Sequence, residues 1–495
     1  MRPLVLFAAA LAVSVGSSTE AADRPNVLFI AVDDMRPDLG CYGTGFVKTP
    51  NLDKLAAGGV TFLRAYCQQA VCSPSRTSLL TGKRPDSTRV YDLETHFRDT
   101  IAGTVALPEL FRQNGYQTVG MGKIYHGGLD DAQSWSEPHQ RPQGVQSYAR
   151  PENQKIIEQA REKAKARGLK GKARQRATRG PATESADVSD ETYHDGALAE
   201  MAVDRLQQLA TADEPFFLAV GFVKPHLPFI APEKYWDLYD RSQFSLPANY
   251  GEGPKNAPPF SGTNFGELRN YSDIPEGNNP LAEEKALELI HGYYAALSYT
   301  DAQIGKVLDE LDRLELSDDT IVVVWGDHGW KLGEHGMWCK HTNFELDAHV
   351  PLIMRVPGNK TGAKSERLVE FVDIYPTLAE LAGLETPDDL EGTSFAPLLS
   401  DPNRDWKAAA FSQYPRTYER KALMGYSLAT DRYRFTRWVE RKNPLVVVAL
   451  ELYDHKSDPA ENVNVAEDPQ YKETVAKLSL LADKGWQGVR AELVK

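Results

Sequence analysis

The residues whose types and spacing could do chemistry are Asp33-Asp34, Asp327-His328 and the pentapeptide Cys72-Ser73-Pro74-Ser75-Arg76. Two adjacent carboxylates and a third far along the chain could cage a hard divalent cation, which prefers oxygen ligands. The Asp-Asp pair could equally cap a helix, because short acceptor side chains satisfy its first free N–H groups. Cys72 is open to three readings: half of a disulfide, a thiolate nucleophile, or the precursor of another group. Ser73-Pro74-Ser75 is helix-start chemistry. Cys72 is therefore expected at a helix N-terminus, where unpaired N–H groups and the dipole favour negative charge. Arg76, four residues on, shares its face. A plain thiol in that setting has a lowered pKa. A cysteine protease would also need a partner histidine as base, which this motif alone does not supply.

Groups this far apart in the chain need elements that bring them together. Four short apolar runs supply them: 27–32 (VLFIAV), 117–121 (QTVGM), 216–222 (FFLAVGF) and 321–325 (IVVVW). They read as strands covered on both faces. Each is followed by ionisable residues: Asp33-Asp34, Lys123 with His126, His226, and Asp327-His328. Ligands of open α/β sheets bind at the carboxyl ends of the strands. One polar loop after a strand is ordinary, but the same pattern four times suggests one crevice. The intervening helical patterns complete an α/β reading: a large mixed, mostly parallel sheet sandwiched by helices, with a smaller C-terminal α+β subdomain.

Cys72-Ser-Pro-Ser-Arg76 fits Cys-x-Pro-x-Arg, which in the sulfatase family directs oxidation of the cysteine to Cα-formylglycine. FIAVDDMRPDLGCYG, QQAVCSPSRTSLLTGKRPDSTRVYD, GMGKIYH, FFLAVGFVKPHLPF and WGDHGWKLGEHGMWCKHTN follow in the family's order. On these blocks the chain resembles the sulfatases of the alkaline phosphatase superfamily, closest to the iduronate-2-sulfatase branch. The matching blocks span roughly residues 25–130, 190–240 and 290–380. The resemblance implies a sulfuric ester hydrolase with one Ca²⁺ held by Asp33, Asp34, Asp327, His328 and the oxygen of converted residue 72. It implies that the hydrated aldehyde attacks sulfur, that His226 protonates the departing sugar oxygen and that His126 then takes a proton so sulfate can leave. Lys123 and Lys340 would neutralise sulfate oxygens, and Arg76 would hold the diol and metal shell. Arg89 falls where the branch binds a uronate carboxylate, and Trp330 could form a sugar-facing wall. The branch's second carboxylate-binding lysine falls in a loop that is shortened here, with Arg420 or Lys421 as possible substitutes. His194, His335, His341 and His349 are given no role.

Composition sets the surroundings. With 495 residues and 41% apolar content the chain can build a large domain and a smaller one. A net charge of −13 argues against broad nucleic-acid binding and makes any anion site a local basic pocket. Residues 1–22 read as a signal peptide, with Arg2 before an apolar stretch and small residues at its end. No later stretch could span a membrane. A secreted or periplasmic location follows. The four cysteines make no disulfide framework, and with Cys72 set aside at least one of Cys41, Cys67 and Cys339 is free. The expected domains are a catalytic domain over 23–395 and a C-terminal subdomain over 396–495. Residues 151–187 form a basic insertion. Its first thirty residues carry ten Lys/Arg against three Asp/Glu, so it reads as solvated and flexible, or as a basic flap.

The expected partners are a sulfated oligosaccharide or polysaccharide, such as a glycosaminoglycan, and the enzyme that matures residue 72. Two other readings fit parts of the pattern. One is a phosphoester or phosphonate hydrolase of the same superfamily, which would use a similar metal corner. The other is an unmatured secreted sulfoglycan-binding protein, although a binder needs neither His126 nor His226.

Overall fold

The four apolar runs become neighbouring strands of one sheet. The computed structural model describes residues 24–493 except 264, 265 and 360. The expected signal peptide, residues 1–22, lies outside the described residues. The strands up to residue 370 are β1 (Asn26–Val32), β2 (Val60–Tyr66), β3 (Gln117–Gly122), β4 (Thr183–Ala186), β5 (Phe216–Phe222), β6 (Phe229–Pro232), β7 (Thr320–Gly326), β8 (Lys331–Leu332), β9 (Trp338–Cys339), β10 (His349–Arg355), β11 (Ala363–Ser365) and β12 (Val369–Glu370). The helices of seven or more residues are α1 (Pro50–Ala57), α2 (Cys72–Thr81), α3 (Leu107–Gln113), α4 (Pro151–Ala166), α5 (Gly171–Ala177), α6 (His194–Leu209), α7 (Glu283–Arg313), α8 (Ile374–Leu381) and α9 (Lys472–Leu493).

The central sheet has the order β11-β2-β10-β7-β1-β5-β3, with β12 also on β2. Strands β7, β1, β5 and β3 are parallel, and β10 runs against β7 and β2. The register makes their carboxyl ends flush: Val32 pairs with both Phe222 and Gly326, and Gly122 pairs with Gly221. The next residues of all four strands must therefore emerge at one edge.

Alternation along β1 divides its side chains between two cores. Leu28, Ile30 and Val32 join Leu198 and Leu206 of α6 and Leu289 and Tyr293 of α7. Val27, Phe29 and Ala31 join Leu79 and Leu80 of α2 and Ile374 and Leu378 of α8. A strand buried on both faces needs a continuous apolar run, which explains why these segments lack polar alternation. Each large side chain so removed from water contributes about 1.5–3 kcal/mol. Helix α7 also supports the site: Tyr293 Oη donates to Asp34 O at 2.9 Å and accepts from Arg36 N at 3.0 Å.

The basic stretch after residue 150 has regular structure. It forms α4 and α5, then β4, which pairs with β6. Glu184, buried on β4, accepts from Ala149 N, Asn153 Nδ2 and Tyr193 Oη at 2.7–2.8 Å. Ile157 packs with Tyr148, Tyr193 and Tyr235. A buried carboxylate thus adds to the few apolar anchors of this stretch, while most of its lysines and arginines are exposed.

Beyond residue 400 the chain forms an antiparallel meander of β13 (Ala410–Tyr418), β14 (Lys421–Ala429), β15 (Tyr433–Glu440) and β16 (Asn443–Asp454). Leu428, Phe435 and Leu452 of this sheet pack on Leu478 of α9. The shortened TYERKAL segment is the β13–β14 hairpin, with Glu419 and Arg420 at φ 48° and 63° in a two-residue turn. The subdomain is joined to the main sheet by Gln413 N to Gln68 O at 2.7 Å and Ser412 Oγ to Cys67 O at 2.6 Å. Cys41, Cys67, Cys72 and Cys339 are all unbridged. Among the described residues no helix is long and apolar enough to cross a membrane.

Candidate active site

Asp33 and Asp34 follow β1, Lys123 follows β3, His226 follows β5, and Asp327 and His328 follow β7, so the flush strand ends deliver them to one place. Two close approaches require glycine. A Cβ on Gly221 would lie 2.1 Å from Lys123 O, and one on Gly326 2.4 Å from Met35 O. Asp34 takes the left-handed φ of 59°, an unfavourable conformation for a side-chain-bearing residue and one often found at functional sites. Tyr293 and Asp327 hold it there, the latter accepting from Asp34 N at 3.0 Å.

Cys72 is the first residue of α2, as expected, and is buried at the floor. Its Sγ lies 3.3 Å from His328 Nε2, 3.4 Å from Asp33 Oδ1 and 3.8 Å from Lys123 Nζ. The expected lowering of the thiol pKa is overturned. Burial, together with the Asp33 carboxylate, pushes the thiol well up, against the opposing pull of Lys123 and Lys340. The helix terminus does not outweigh desolvation among carboxylates, so an unmodified Cys72 is a poor thiolate.

Three cations balance three carboxylates around it. Arg76 is completely buried, donates from Nε to Asp327 Oδ2 at 2.9 Å and lies 3.4 Å from Asp33 Oδ1. Lys123 pairs with Asp33, and Lys340 Nζ lies 3.0 Å from Asp34 Oδ1. Burial opposes ionisation of Asp33, but Lys123, His226 and Arg76 hold its carboxyl well below the usual range. Ligand atoms of Asp33, Asp34, Cys72 and His328 lie within 4.8 Å of one another. Asp327 borders this group: its Oδ1 is 3.5 Å from His328 Nε2, and its carboxylate is engaged by Asp34 N and Arg76. Two carboxylates and one imidazole are compatible with a hard divalent ion if position 72 supplies oxygen, and a thiol is the odd member of such a set.

His226 directs Nδ1 to Leu227 O at 2.5 Å and Nε2 to Glu267 Oε1 at 2.9 Å. Both ring nitrogens thus face acceptor oxygens, which fix the orientation of the ring. His126 is different. Burial, then Lys123, lowers it to about 4, and its buried Nδ1 has no partner among the described residues. It is a neutral ring at pH 7. Trp330 is fully buried with its ring beneath Lys340 Nζ at 4.7 Å. It supports the cation from below and forms no sugar-facing wall.

A cavity of about 1230 Å³ opens above the floor, and Cys72, Lys123, His126, His226 and Lys340 all reach it. Arg89 does not line it. That residue is exposed in a left-handed turn, and the same loop reaches the cavity with Leu93 and Glu94. Neither Arg420 nor Lys421 lines it, and Lys421 pairs with Glu440 at 2.7 Å. The roles of several residues in and behind the cavity wall escaped the sequence reading. Glu267 joins His226 to Lys340, which lies 3.0 Å from its Oε2, but it comes from an irregular segment with no strand-end signal. Asp195, in the first turn of α6, accepts from Val223 N and Lys224 N at 3.0 and 2.7 Å and so fixes the loop carrying His226. A carboxylate in the first turn of a helix reads as ordinary helix-start chemistry, which hid it. His194 lies 2.8 Å from Asp195, and both His194 and His341 line the cavity.

The chain matches the family model described as Sulfatase over residues 25–384 and the one described as N-sulphoglucosamine sulphohydrolase, C-terminal, over 333–484. Iduronate 2-sulfatase of Homo sapiens is 35% identical to it, covering 94% of this chain and 96% of its own length. The structure of BT4656 in complex with its substrate D-glucosamine-2-N,6-O-disulfate superposes with a TM-score of 0.73 at 22% identity, covering 94% of this chain and 98% of that one. The phosphonate monoester hydrolase of Agrobacterium radiobacter gives a TM-score of 0.70 at 24% identity, covering 95% and 96%.

Proposed function

This chain belongs to the sulfatase family and is a sulfuric ester hydrolase, and from that premise we propose that it removes sulfate from sugar units of sulfated glycans. The observation that carries this reading is the position of Cys72: first in α2, buried, and within 3.3–3.8 Å of His328, Asp33 and Lys123. We propose that a maturation enzyme converts its thiol to the aldehyde of Cα-formylglycine, and that Asp33, Asp34, His328 and residue 72 hold one Ca²⁺, with Asp327 beside them. When present, the hydrated aldehyde supplies the attacking oxygen and the cation the charge that favours its ionised form.

The chain's own residues carry out the rest. Lys123 and Lys340 reach the cavity floor and offer charged N–H donors to sulfate oxygens, each worth on the order of 1–3 kcal/mol. Arg76, with no exposure, fixes Asp33 and Asp327 and so orients residue 72. His226 holds a proton at Nε2 for the leaving sugar oxygen, and Glu267 orients it. His126 is neutral and can accept a proton when sulfate departs. The role of Arg89 as a uronate-binding residue has no support from its place outside the cavity wall. Export through the N-terminal segment accords with an extracellular polysaccharide substrate.

The test is to co-produce the protein with a formylglycine-generating enzyme and assay aryl sulfate, aryl phosphate and a panel of sulfated oligosaccharides. A mass loss at the Cys72 peptide and a preference for sulfate are expected, and Cys72→Ala should lose about 10⁴-fold or more in kcat. Full activity of Cys72→Ala, or faster phosphate turnover, would overturn the reading. An intact thiol with tight glycan binding and no turnover would make the protein a binder.

A further inference from the structure

The cavity is larger than one sulfated sugar needs, since sites for drug-sized ligands occupy roughly 300–1,000 Å³. Its outer wall is basic. Arg141 comes from the segment after β3, while Arg176 and Arg179 come from α5 and the residues just after it. The cations of the floor pair with Asp33, Asp34 and Glu267. These three arginines have no acidic partner among the described residues, although the chain carries a net charge of −13. Glu94 and Glu267 also line this cavity, but neither makes an ion pair with these three guanidinium groups among the described residues, so the arginines can turn to an entering anion. Their planar forks suit carboxylate or sulfate oxygens.

Part of the wall is held in place. Glu184 and Ile157 anchor the insertion, as described above, and Arg179 lies over the ring of Tyr271 at 4.7 Å from its centroid. Recognition by Arg179 therefore needs little ordering on binding, which is where affinity is otherwise lost.

We propose that the preferred substrate carries a second anionic group beside the scissile sulfate, and that Arg141, Arg176 and Arg179 read it. The inference rests on the sulfatase reading above and adds to it the charge pattern of the substrate. The second anion is a carboxylate or a sulfate ester, which share this recognition chemistry.

The experiment uses the matured full-length enzyme and three disaccharides with the same scissile sulfate. Their neighbouring sugar is neutral, a uronate, or sulfated. For the wild type, kcat/KM should be about tenfold higher for at least one charged neighbour than for the neutral one, the weight of about one charge-assisted hydrogen bond. Which charged substrate gains identifies the anion. In the Arg176→Ala/Arg179→Ala double variant and in Arg141→Ala that ratio should fall towards one, mainly through KM, and Arg176→Lys/Arg179→Lys should restore part of it. A wild-type ratio near one, or variants that slow all three substrates equally, would overturn the inference while leaving the sulfatase reading intact. Failure of the wild type on every sulfate ester would remove both.

Discussion

His126 and His226 share one cavity but differ in their contacts. His226 faces two acceptors, whereas His126 faces Lys123 and has no acceptor at its buried Nδ1 among the described residues. The expected consequence is a His126 midpoint at about 4, which a ring-resonance NMR titration would read directly; a midpoint near the usual 6.5 would contradict it. The sign for stability follows. The unfolded chain takes up this proton near 6.5 and the folded one near 4, so acidification through that window favours unfolding. Much of this floor was legible in the sequence, because Asp33, Asp34, Asp327 and His328 follow recognisable strands. The thiol pKa was not, since a helix-start pattern shows the dipole but not the carboxylates gathered around Cys72 by other strands.

At the scale of elements, the apolar runs identified the four parallel strands but not how they are propped. Helix α7 lies behind the β1 end and also caps α1: Asp301 accepts from Asn51 N and Leu52 N at 3.2 and 2.8 Å and from Asn51 Nδ2 at 2.8 Å. In the sequence Asp301 is one acid in a long amphipathic pattern, and only packing shows that it faces the start of another helix. Asp301→Ala leaves those buried donors unpaired and is expected to lower unfolding stability by about 1–3 kcal/mol, measured by denaturant titration, with kcat little changed. The insertion eluded sequence reading for a similar reason. Its helices are secured by Glu184, a charged residue that composition assigns to the solvent.

Across the whole molecule, the C-terminal sheet completes the site's surroundings. Arg416 of β13 donates to Phe260 O and Gly262 O at 2.9 and 3.0 Å and also reaches His341 O. Nearby Glu451 is buried and receives Trp438 Nε1 at 2.5 Å and Tyr453 Oη at 2.6 Å. Burial pushes its carboxyl up to about 7 despite those bonds. The folded state therefore binds this proton more tightly than the unfolded chain, and its contribution is lost as pH rises through 7. Glu451→Gln is expected to gain stability relative to wild type between pH 5 and pH 8, by roughly 1–3 kcal/mol in chemical denaturation. An unchanged difference across that range would contradict the assignment. The flush ends of β7, β1, β5 and β3 have a corollary. Rim segments can lengthen, shorten or be exchanged without disturbing the ladder beneath, so substrate choice can change while the floor stays the same.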